Sequence, residues 1–323
     1  MTASEDENRI VVDFHVHLFA AGHLPRRWFE AIAAHLAAGR PGDGGRRPSV
    51  DQLERRVLDP DAALLIADMD AAGVAAAVSH PLDYGLAIGE PSVPIEKIVE
   101  HNALLQQRLA GRYYSYTSID PRRPNAPDFI RASARRYGLK GVNLYPPAGF
   151  DPASPESLAV CRVAVEEGLP VLFHTGGANY PMRPRYGSPL LLGDVQAEIA
   201  DLEIIIGHAG FPYQWEEAVV VARRNPNVYL EISQWYKLAA NNYEKFAAIL
   251  TEIKSEIGVG RLLFGSDHLS GPSVSGAKSS LPGWLAAMRR LPQASADFSD
   301  ADIDAILGKN ALRLLKIEGK PHA

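Results

Sequence analysis

Two histidines in the segment IVVDFHVHLF (residues 10–19) have a spacing that suits a metal ion. In a β-strand, alternate side chains lie on opposite faces, so Asp13, His15 and His17 share one face and the apolar residues between them share the other. Neutral imidazoles are common ligands of transition metals. The segment therefore predicts a strand that carries half of a metal site.

Three more polar residues stand where other apolar segments end. His174 follows the apolar run of VLFHTGG, His208 that of IIIGHAG, and Asp267 that of LLFGSDH. Alone, each has an ordinary structural explanation, such as a hydrogen-bonded histidine or a helix-capping aspartate. Taken together with His15 and His17, these residues can supply three imidazole nitrogens and a carboxylate. Such a set forms a site suited to Zn²⁺ or a similar divalent ion, with a position open for water.

The elements that must position these residues are eight short apolar segments, each followed by a helix-length amphipathic stretch. Continuous apolar strands separated by helices indicate a parallel sheet covered on both faces, and eight such units favour a single (β/α)8 TIM barrel of class α/β. No GxGxxG follows the first strand, which argues against a dinucleotide-binding sheet. The carboxyl ends of barrel strands form the active site, so the metal site is expected there. The predicted strands are 10–15, 74–80, 113–119, 139–145, 169–174, 202–208, 228–233 and 261–267.

Composition and charge exclude several classes of function. The chain has 323 residues and a net charge of −5, so nothing favours nucleic acid or an anionic membrane as a partner. Its single cysteine, Cys161, excludes an intrachain disulfide. The polar N-terminus lacks the pattern of a signal peptide, and no apolar run reaches the about 20 residues of a membrane span. We expect a cytoplasmic protein with a barrel at 10–317 between a flexible tail at 1–9 and a tail at 318–323.

The ordered set of strand-end residues resembles the pattern of the amidohydrolase superfamily. The order Asp-x-His-x-His, His, His, Asp on the first, fifth, sixth and eighth strands is that of this superfamily of metal-dependent barrels. More narrowly, the chain is similar to the amidohydrolase-related (amidohydrolase 2) branch that includes the aminocarboxymuconate-semialdehyde decarboxylase group. Supporting segments are DMDAAGVAAAV (68–78), GLKGVNLYPP (138–147), SPLLLGDV (188–195) and ILGKNALRLL (306–315).

The resemblance implies one metal ion, held by His15, His17, His174 and Asp267. Many relatives carry a lysine on the fourth strand, which bridges two metals in binuclear members, but this chain has Asn143 there. We therefore expect a single divalent ion, with Zn²⁺ favoured and Mn²⁺ as the alternative.

The resemblance leaves the reaction open between three hypotheses. The first is a hydrolase in which Asp267 takes a proton from a metal-activated water and His208 stabilises the substrate oxygen or acts as acid or base; the substrate would contain an amide, ester or lactone. The second is a lyase, a non-oxidative decarboxylase or hydratase of an aromatic or unsaturated acid. The third is a metal-binding barrel without catalysis. We expect hydrolysis, by analogy with the breadth of such chemistry in the superfamily.

The clues to the substrate come from loops and aromatic residues. Arg183 and Arg185 lie in the loop after the fifth strand, and guanidinium groups suit a substrate carboxylate. Tyr145 and Trp284 are expected to form an aromatic wall. A small carboxylated or aromatic molecule is therefore the expected partner, and barrels of this kind often form homodimers.

Several other residues receive no role from the sequence. His80 ends the second strand and His268 follows Asp267, so either could line the pocket, while Glu231 and Ser233 share a face of the seventh strand. Two long loops, Gly39–Ser49 and Ser270–Pro282, are rich in Gly, Pro and Ser and are lid candidates.

Overall fold

The computed structural model describes residues 9–37, 48–269 and 280–317. All strand pairs in this part of the chain are parallel. The predicted tails, except Arg9, and most of both lid candidates lie outside the described residues. The strands are β1 (Val12–His17), β2 (Ala76–Ser79), β3 (Tyr113–Ser115), β4 (Thr117–Ser118), β5 (Val142–Leu144), β6 (Val171–His174), β7 (Ile204–Gly207), β8 (Val228–Glu231), β9 (Leu262–Leu263) and β10 (His268–Leu269).

The strands form two sheets that meet at two breaks. Their orders are β10-β1-β2-β3 and β4-β5-β6-β7-β8-β9. At the first break only Tyr116 separates β3 from β4, and its N–H donates to the Ser79 carbonyl of β2. At the second break the N–H of Phe14 donates to the Phe264 carbonyl, and the N–H of Asp267 donates to the His15 carbonyl. The ten strands therefore occupy eight positions, which confirms the predicted (β/α)8 TIM barrel.

Helices cover the outside of the barrel, and the apolar residues of the strands are buried between them and the interior. Phe14, Tyr116, Leu172, Ile205 and Leu263 belong to one buried cluster drawn from strands around the barrel. The α-helices are α1 (Arg26–Ala37), α2 (Val50–Val57), α3 (Ala63–Ala72), α4 (Gly85–Ile88), α5 (Ile95–Arg108), α6 (Ala126–Tyr137), α7 (Pro155–Glu166), α8 (Leu191–Glu198), α9 (Trp215–Arg223), α10 (Tyr236–Asn241), α11 (Tyr243–Ile257), α12 (Leu281–Arg289), α13 (Leu291–Ala294), α14 (Asp300–Asp304) and α15 (Asn310–Leu314).

The last strand predicted from the sequence, 261–267, is much shorter in the structure, where β9 covers only Leu262–Leu263. After Leu263 the chain bends, because Ser266 turns its N–H and hydroxyl to the Asp13 carboxylate at 2.8 and 2.5 Å. Gly265 permits the bend: a β-carbon there would lie 2.3 Å from Oε1 of Glu231. Asp267 follows with a left-handed backbone, φ 55°, so the bend determines where its carboxylate points.

No helix in the described ranges has both the length and the apolar character needed to cross a bilayer.

Candidate metal centre and its cavity

The strand-end residues predicted to bind metal line a single cavity of about 780 Å³. His15 and His17 lie at the end of β1, His174 is the last residue of β6, and His208 directly follows β7. Asp267 lies beyond the break after β9 and reaches the same space. Asp13 does not line the cavity, because the register of β1 against β2 shifts between Asp13 and Val16.

The imidazoles of β1 are each held by an acceptor behind the ring. Nδ1 of His15 donates to Oε2 of Glu231 at 2.8 Å, and Nδ1 of His17 donates to the His80 carbonyl at 2.7 Å. Because each Nδ1 faces an acceptor and carries the hydrogen, each neutral ring presents a lone pair at Nε2. This support behind the ring is typical of histidine ligands of metals.

The lone pairs of these rings converge with the Asp267 carboxylate on one point. The two Nε2 atoms lie 3.2 Å apart, and Oδ1 of Asp267 lies 3.2 Å from His17 Nε2 and 3.8 Å from His15 Nε2. Ligand atoms at about 2.0–2.2 Å from a tetrahedral ion lie roughly 3.3 Å from one another. Three acceptor atoms this close repel unless a cation lies between them. The geometry therefore fits a divalent ion.

His174 and His208 form a second pair of imidazoles beside this cluster. Nε2 of His174 donates to the Gly177 carbonyl at 3.0 Å, which leaves a lone pair at Nδ1. Ser233 donates its hydroxyl to Glu231, so Nδ1 of His208 donates to Ser233 at 2.7 Å and Nε2 keeps the lone pair. The two remaining nitrogens lie 3.0 Å apart. This pair also fits a nearby cation, and it lies outside the tight cluster of His15, His17 and Asp267.

The charge states of His174, His208 and Asp267 suit metal binding. Burial lowers the pKa of His174 to about 4, and burial with the neighbouring His174 holds the pKa of His208 well below its ordinary value. Both rings are therefore neutral near pH 7, the form that binds metals. Burial raises the pKa of Asp267, but the contacts of its carboxylate with His17 and the other histidines outweigh burial and hold the pKa well below its ordinary value. Asp267 is thus available as a carboxylate.

Backbone strain is concentrated at this end of the barrel. His208, Gln234 and Asp267 have left-handed backbones, with φ of 59°, 68° and 55°. Such a conformation costs a non-glycine residue about 1–3 kcal/mol and tends to occur at functional sites. Each of these side chains lines the cavity.

Two residues with no predicted role support the site directly. Glu231, the last residue of β8, is fully buried, and its Oε2 also accepts from the peptide N–H of His208 at 3.1 Å. Gln234 donates its amide to Oδ2 of Asp267. The alternation of VYLEIS pointed Glu231 and Ser233 to one face, whereas nothing in the sequence indicated Gln234.

Comparison with known proteins decides the family. A sequence model of the amidohydrolase family (Amidohydro_2) matches residues 12–317. The chain belongs to the amidohydrolase family. No curated protein matches this amidohydrolase significantly.

Solved structures similar to this amidohydrolase share its fold at low sequence identity. An uncharacterized TIM-barrel protein from Bordetella bronchiseptica is 21% identical, with a TM-score of 0.66 and coverage of 95% of this chain and 98% of that one. A probable 2-pyrone-4,6-dicarboxylic acid hydrolase from Acinetobacter baumannii, with citric acid bound, is 16% identical, with a TM-score of 0.63 and coverage of 95% and 99%. A 5-carboxyvanillate decarboxylase from Novosphingobium aromaticivorans, complexed with manganese, is 17% identical, with a TM-score of 0.63 and coverage of 97% of both chains. Further decarboxylases are among the similar structures.

Of the four residues predicted to bind substrate in this amidohydrolase, one lines the cavity and three do not. Tyr145 lines the cavity, with its ring 4.3 Å from that of His174. Arg183, Arg185 and Trp284 are not among the residues that line it. Arg185 donates to the hydroxyl of the neighbouring Tyr186 at 2.6 Å. Trp284 is buried behind the site and donates to the Gly265 carbonyl at 2.9 Å.

The two histidines without a predicted role and Asn143 also have defined places. His80 is fully buried below the cluster, where Nε2 donates to the Phe14 carbonyl at 2.7 Å, and burial holds its pKa well below the ordinary value. His268 lines the cavity and lies 3.5 Å from Asp68. Asn143 lines the cavity too, but its amide donates to the Pro81 carbonyl at 2.8 Å.

Proposed function

We propose that this amidohydrolase is a metal-dependent decarboxylase that releases carbon dioxide from a small aromatic or unsaturated acid. The observation that carries the proposal is the position of the three-ligand cluster at one end of a cavity walled by aromatic rings. A planar acid fits such walls by stacking, while its carboxylate approaches the cluster. The names of the similar decarboxylases support this reaction better than the hydrolysis expected from the sequence. The described aromatic residues that line the cavity are Phe19, Trp28, Tyr84, Tyr145, Tyr180, Phe211 and Tyr236.

In this proposal His15, His17 and Asp267 hold one divalent ion, with His174 as the fourth ligand. Imidazole nitrogens with a carboxylate suit both Zn²⁺ and Mn²⁺, and manganese is bound in a similar decarboxylase. The ion supplies Lewis acidity toward the oxygen atoms of the bound acid. Asn143 stands where a bridging lysine would allow a second ion, so one ion per chain is expected.

Decarboxylation also needs a proton at the carbon atom that loses carbon dioxide. The bond between this carbon and the carboxylate breaks, and the electron pair left behind takes up the proton. His208 is placed to relay a proton from water to this carbon, since Ser233 holds Nδ1 and the lone pair at Nε2 can take the proton up and pass it on. Burial lowers the pKa of His208, so a proton that reaches this ring is readily passed on.

Hydrolysis of a lactone or ester is the second candidate. Its specific support is the position of the Asp267 carboxylate, which lies 3.2 Å from Nε2 of His17 and could take a proton from a water molecule beside the cluster. One similar structure is named a probable hydrolase of a pyrone dicarboxylic acid. The residues that hold the ion are the same in both reactions.

The experiment that tests the proposal is a substrate screen with protein loaded with Mn²⁺ or Zn²⁺. Aromatic and unsaturated acids labelled with ¹³C in the carboxyl group are incubated in D₂O and followed by NMR. Release of labelled carbon dioxide, with one deuterium on the carbon that lost it, is the expected result. Turnover of lactones or esters without carbon dioxide release would favour hydrolysis instead. If neither the acids nor a matching set of lactones and esters is turned over, the result would support the metal-binding barrel without catalysis.

A further inference from the structure

One lysine lines the cavity in the part of the chain that the structure describes. Among the described residues that line it, Lys237 is the only lysine or arginine. This residue lies on α10, directly after the segment that carries Ser233 and Gln234. Within the described part of the chain, no carboxylate oxygen lies within 4.0 Å of its ammonium group. Its charge is therefore not balanced by an ion pair there.

The ammonium group of Lys237 is connected to the metal centre through one amide. Its Nζ donates to Oε1 of Gln234, and Nε2 of Gln234 donates to Oδ2 of Asp267. An ammonium group only donates, so it turns the carbonyl end of the amide toward itself and the NH₂ end toward the carboxylate. Of the three N–H donors on Lys237, this contact uses one. Two donors remain for a molecule bound in the cavity.

The arginines expected to bind a substrate carboxylate do not provide this charge. The guanidinium of Arg185 lies 4.5 Å over the ring of Tyr186 and is hydrogen-bonded to its hydroxyl. The side chain of Arg183 packs near Gly149, with Cδ 3.6 Å from the position of a β-carbon there. Neither lines the cavity, so among the described lining residues Lys237 is the lysine or arginine available to an anionic group.

We propose that Lys237 binds a second acidic group of the substrate and selects aromatic diacids over monoacids. The inference rests on the proposed function, in which the first carboxylate lies at the cluster of His15, His17 and Asp267. With one acid group there, the ring lies between the aromatic walls, and the second group meets the free donors of Lys237. A charge-assisted hydrogen bond of this kind is roughly twice as strong as a neutral one.

The test measures equilibrium binding of benzoate and isophthalate (benzene-1,3-dicarboxylate) by calorimetry, with protein as purified and after loading with Mn²⁺. Wild type should bind isophthalate at least about tenfold more tightly than benzoate, the gain typical of one hydrogen bond to a charged group. Lys237→Met should abolish this preference and leave the Kd of benzoate unchanged. Lys245→Met, a change at an exposed lysine of α11 outside the cavity lining, should behave like wild type.

Three results would overturn the assignment of Lys237. These are no preference for isophthalate in wild type, an equal loss of affinity for both acids in Lys237→Met, and a preference that survives this substitution. Failure of the proposed decarboxylation can be distinguished from failure of the diacid site. If no acid releases carbon dioxide but the preference depends on Lys237, the diacid site stands and the reaction is wrong. If carbon dioxide is released but a diacid is bound and decarboxylated equally well by wild type and Lys237→Met, the reaction stands and the diacid site is wrong.

Discussion

Oε2 of Glu231 accepts a hydrogen bond of 2.8 Å from Nδ1 of His15, across 216 positions of the sequence. The same oxygen accepts from the hydroxyl of Ser233 at 2.9 Å, and Ser233 in turn accepts from Nδ1 of His208. One buried carboxylate therefore orients a predicted metal ligand and the residue proposed to move the proton. Partners behind metal-bound histidines determine the tautomer and orientation of the ring, so they influence metal affinity.

Glu231→Gln is expected to weaken metal binding. The amide keeps the shape of the side chain but replaces one acceptor oxygen with a donor group, which then faces the donors of His15 or Ser233. Metal affinity should fall about 10–100-fold, and the free energy of unfolding should fall by about 1–3 kcal/mol. Competition with a fluorescent zinc chelator and urea unfolding measure the two effects. Glu198→Gln, at an exposed residue of α8, is the control, and equal metal affinity in both variants would contradict the role of Glu231.

Asp267→Asn is expected to remove the metal ion while it preserves the backbone. Asparagine tolerates the left-handed conformation of this residue, φ 55°, better than most side chains. Its neutral amide is a much poorer metal ligand than a carboxylate. Metal affinity should therefore drop by more than the roughly 10–100-fold typical of substitutions at residues that hydrogen-bond to the ligands. Plasma mass spectrometry after dialysis should find about one ion per chain in wild type and none in the variant. Asp201→Asn, at an exposed site, is the control. An ion retained by Asp267→Asn would place the centre elsewhere.

His208→Asn separates proton transfer from metal binding. Asparagine again tolerates the backbone, φ 59°, but does not carry a proton as imidazole does. The turnover number is expected to fall by about 10²–10⁴, the usual contribution of general acid–base catalysis, while metal content stays near one per chain. Steady-state kinetics and metal analysis on the same preparation check both. Loss of the ion in this variant would instead identify His208 as a ligand.

Asp13 should make the stability of the metal-free protein depend on pH. Burial raises its pKa from 3.8 to about 7, although hydrogen bonds from Ser266 oppose the shift. Between these values the folded chain keeps a proton that the unfolded chain loses, so the free energy of unfolding should fall as the pH rises from about 4 to about 7. At about 1.4 kcal/mol per unit, the whole effect is at most about 4 kcal/mol. Urea unfolding of wild type and Asp13→Asn across this range measures it, and parallel curves for the two proteins would contradict the prediction.

Local patterns in the sequence were sufficient for the barrel and for the strand-end residues that line its cavity. Apolar segments that alternate with amphipathic ones predict a covered parallel sheet, and the carboxyl ends of its strands must meet at one end of the barrel. His15, His17, His174, His208 and Asp267 all stand at such ends, so their convergence follows from the chain order alone. The match of the family model over 12–317 agrees with that pattern.

Contacts between segments that are distant in the sequence could be identified only from the tertiary structure. Gln234 reaches Asp267 only because both residues adopt left-handed backbones after their strands, a property that no periodicity reveals. Arg183 and Arg185 stand in a loop that the sequence places near the cavity, but the local path of the chain takes their side chains elsewhere. Lys237 lines the cavity instead.

There is a physical reason why strand-end residues follow from the sequence whereas their partners across the barrel do not. Which residues stand at strand ends depends on hydrophobic periodicity, which is a local property and is written in the order of the amino acids. Which acceptor stands behind an imidazole, and which cation enters the cavity, depend on rotamers, bends and packing across the barrel. The sequence alone therefore determined a TIM barrel with candidate metal ligands at its strand ends. Only the tertiary structure decided that Glu231 supports His15 and His208, and that Lys237 lines the cavity.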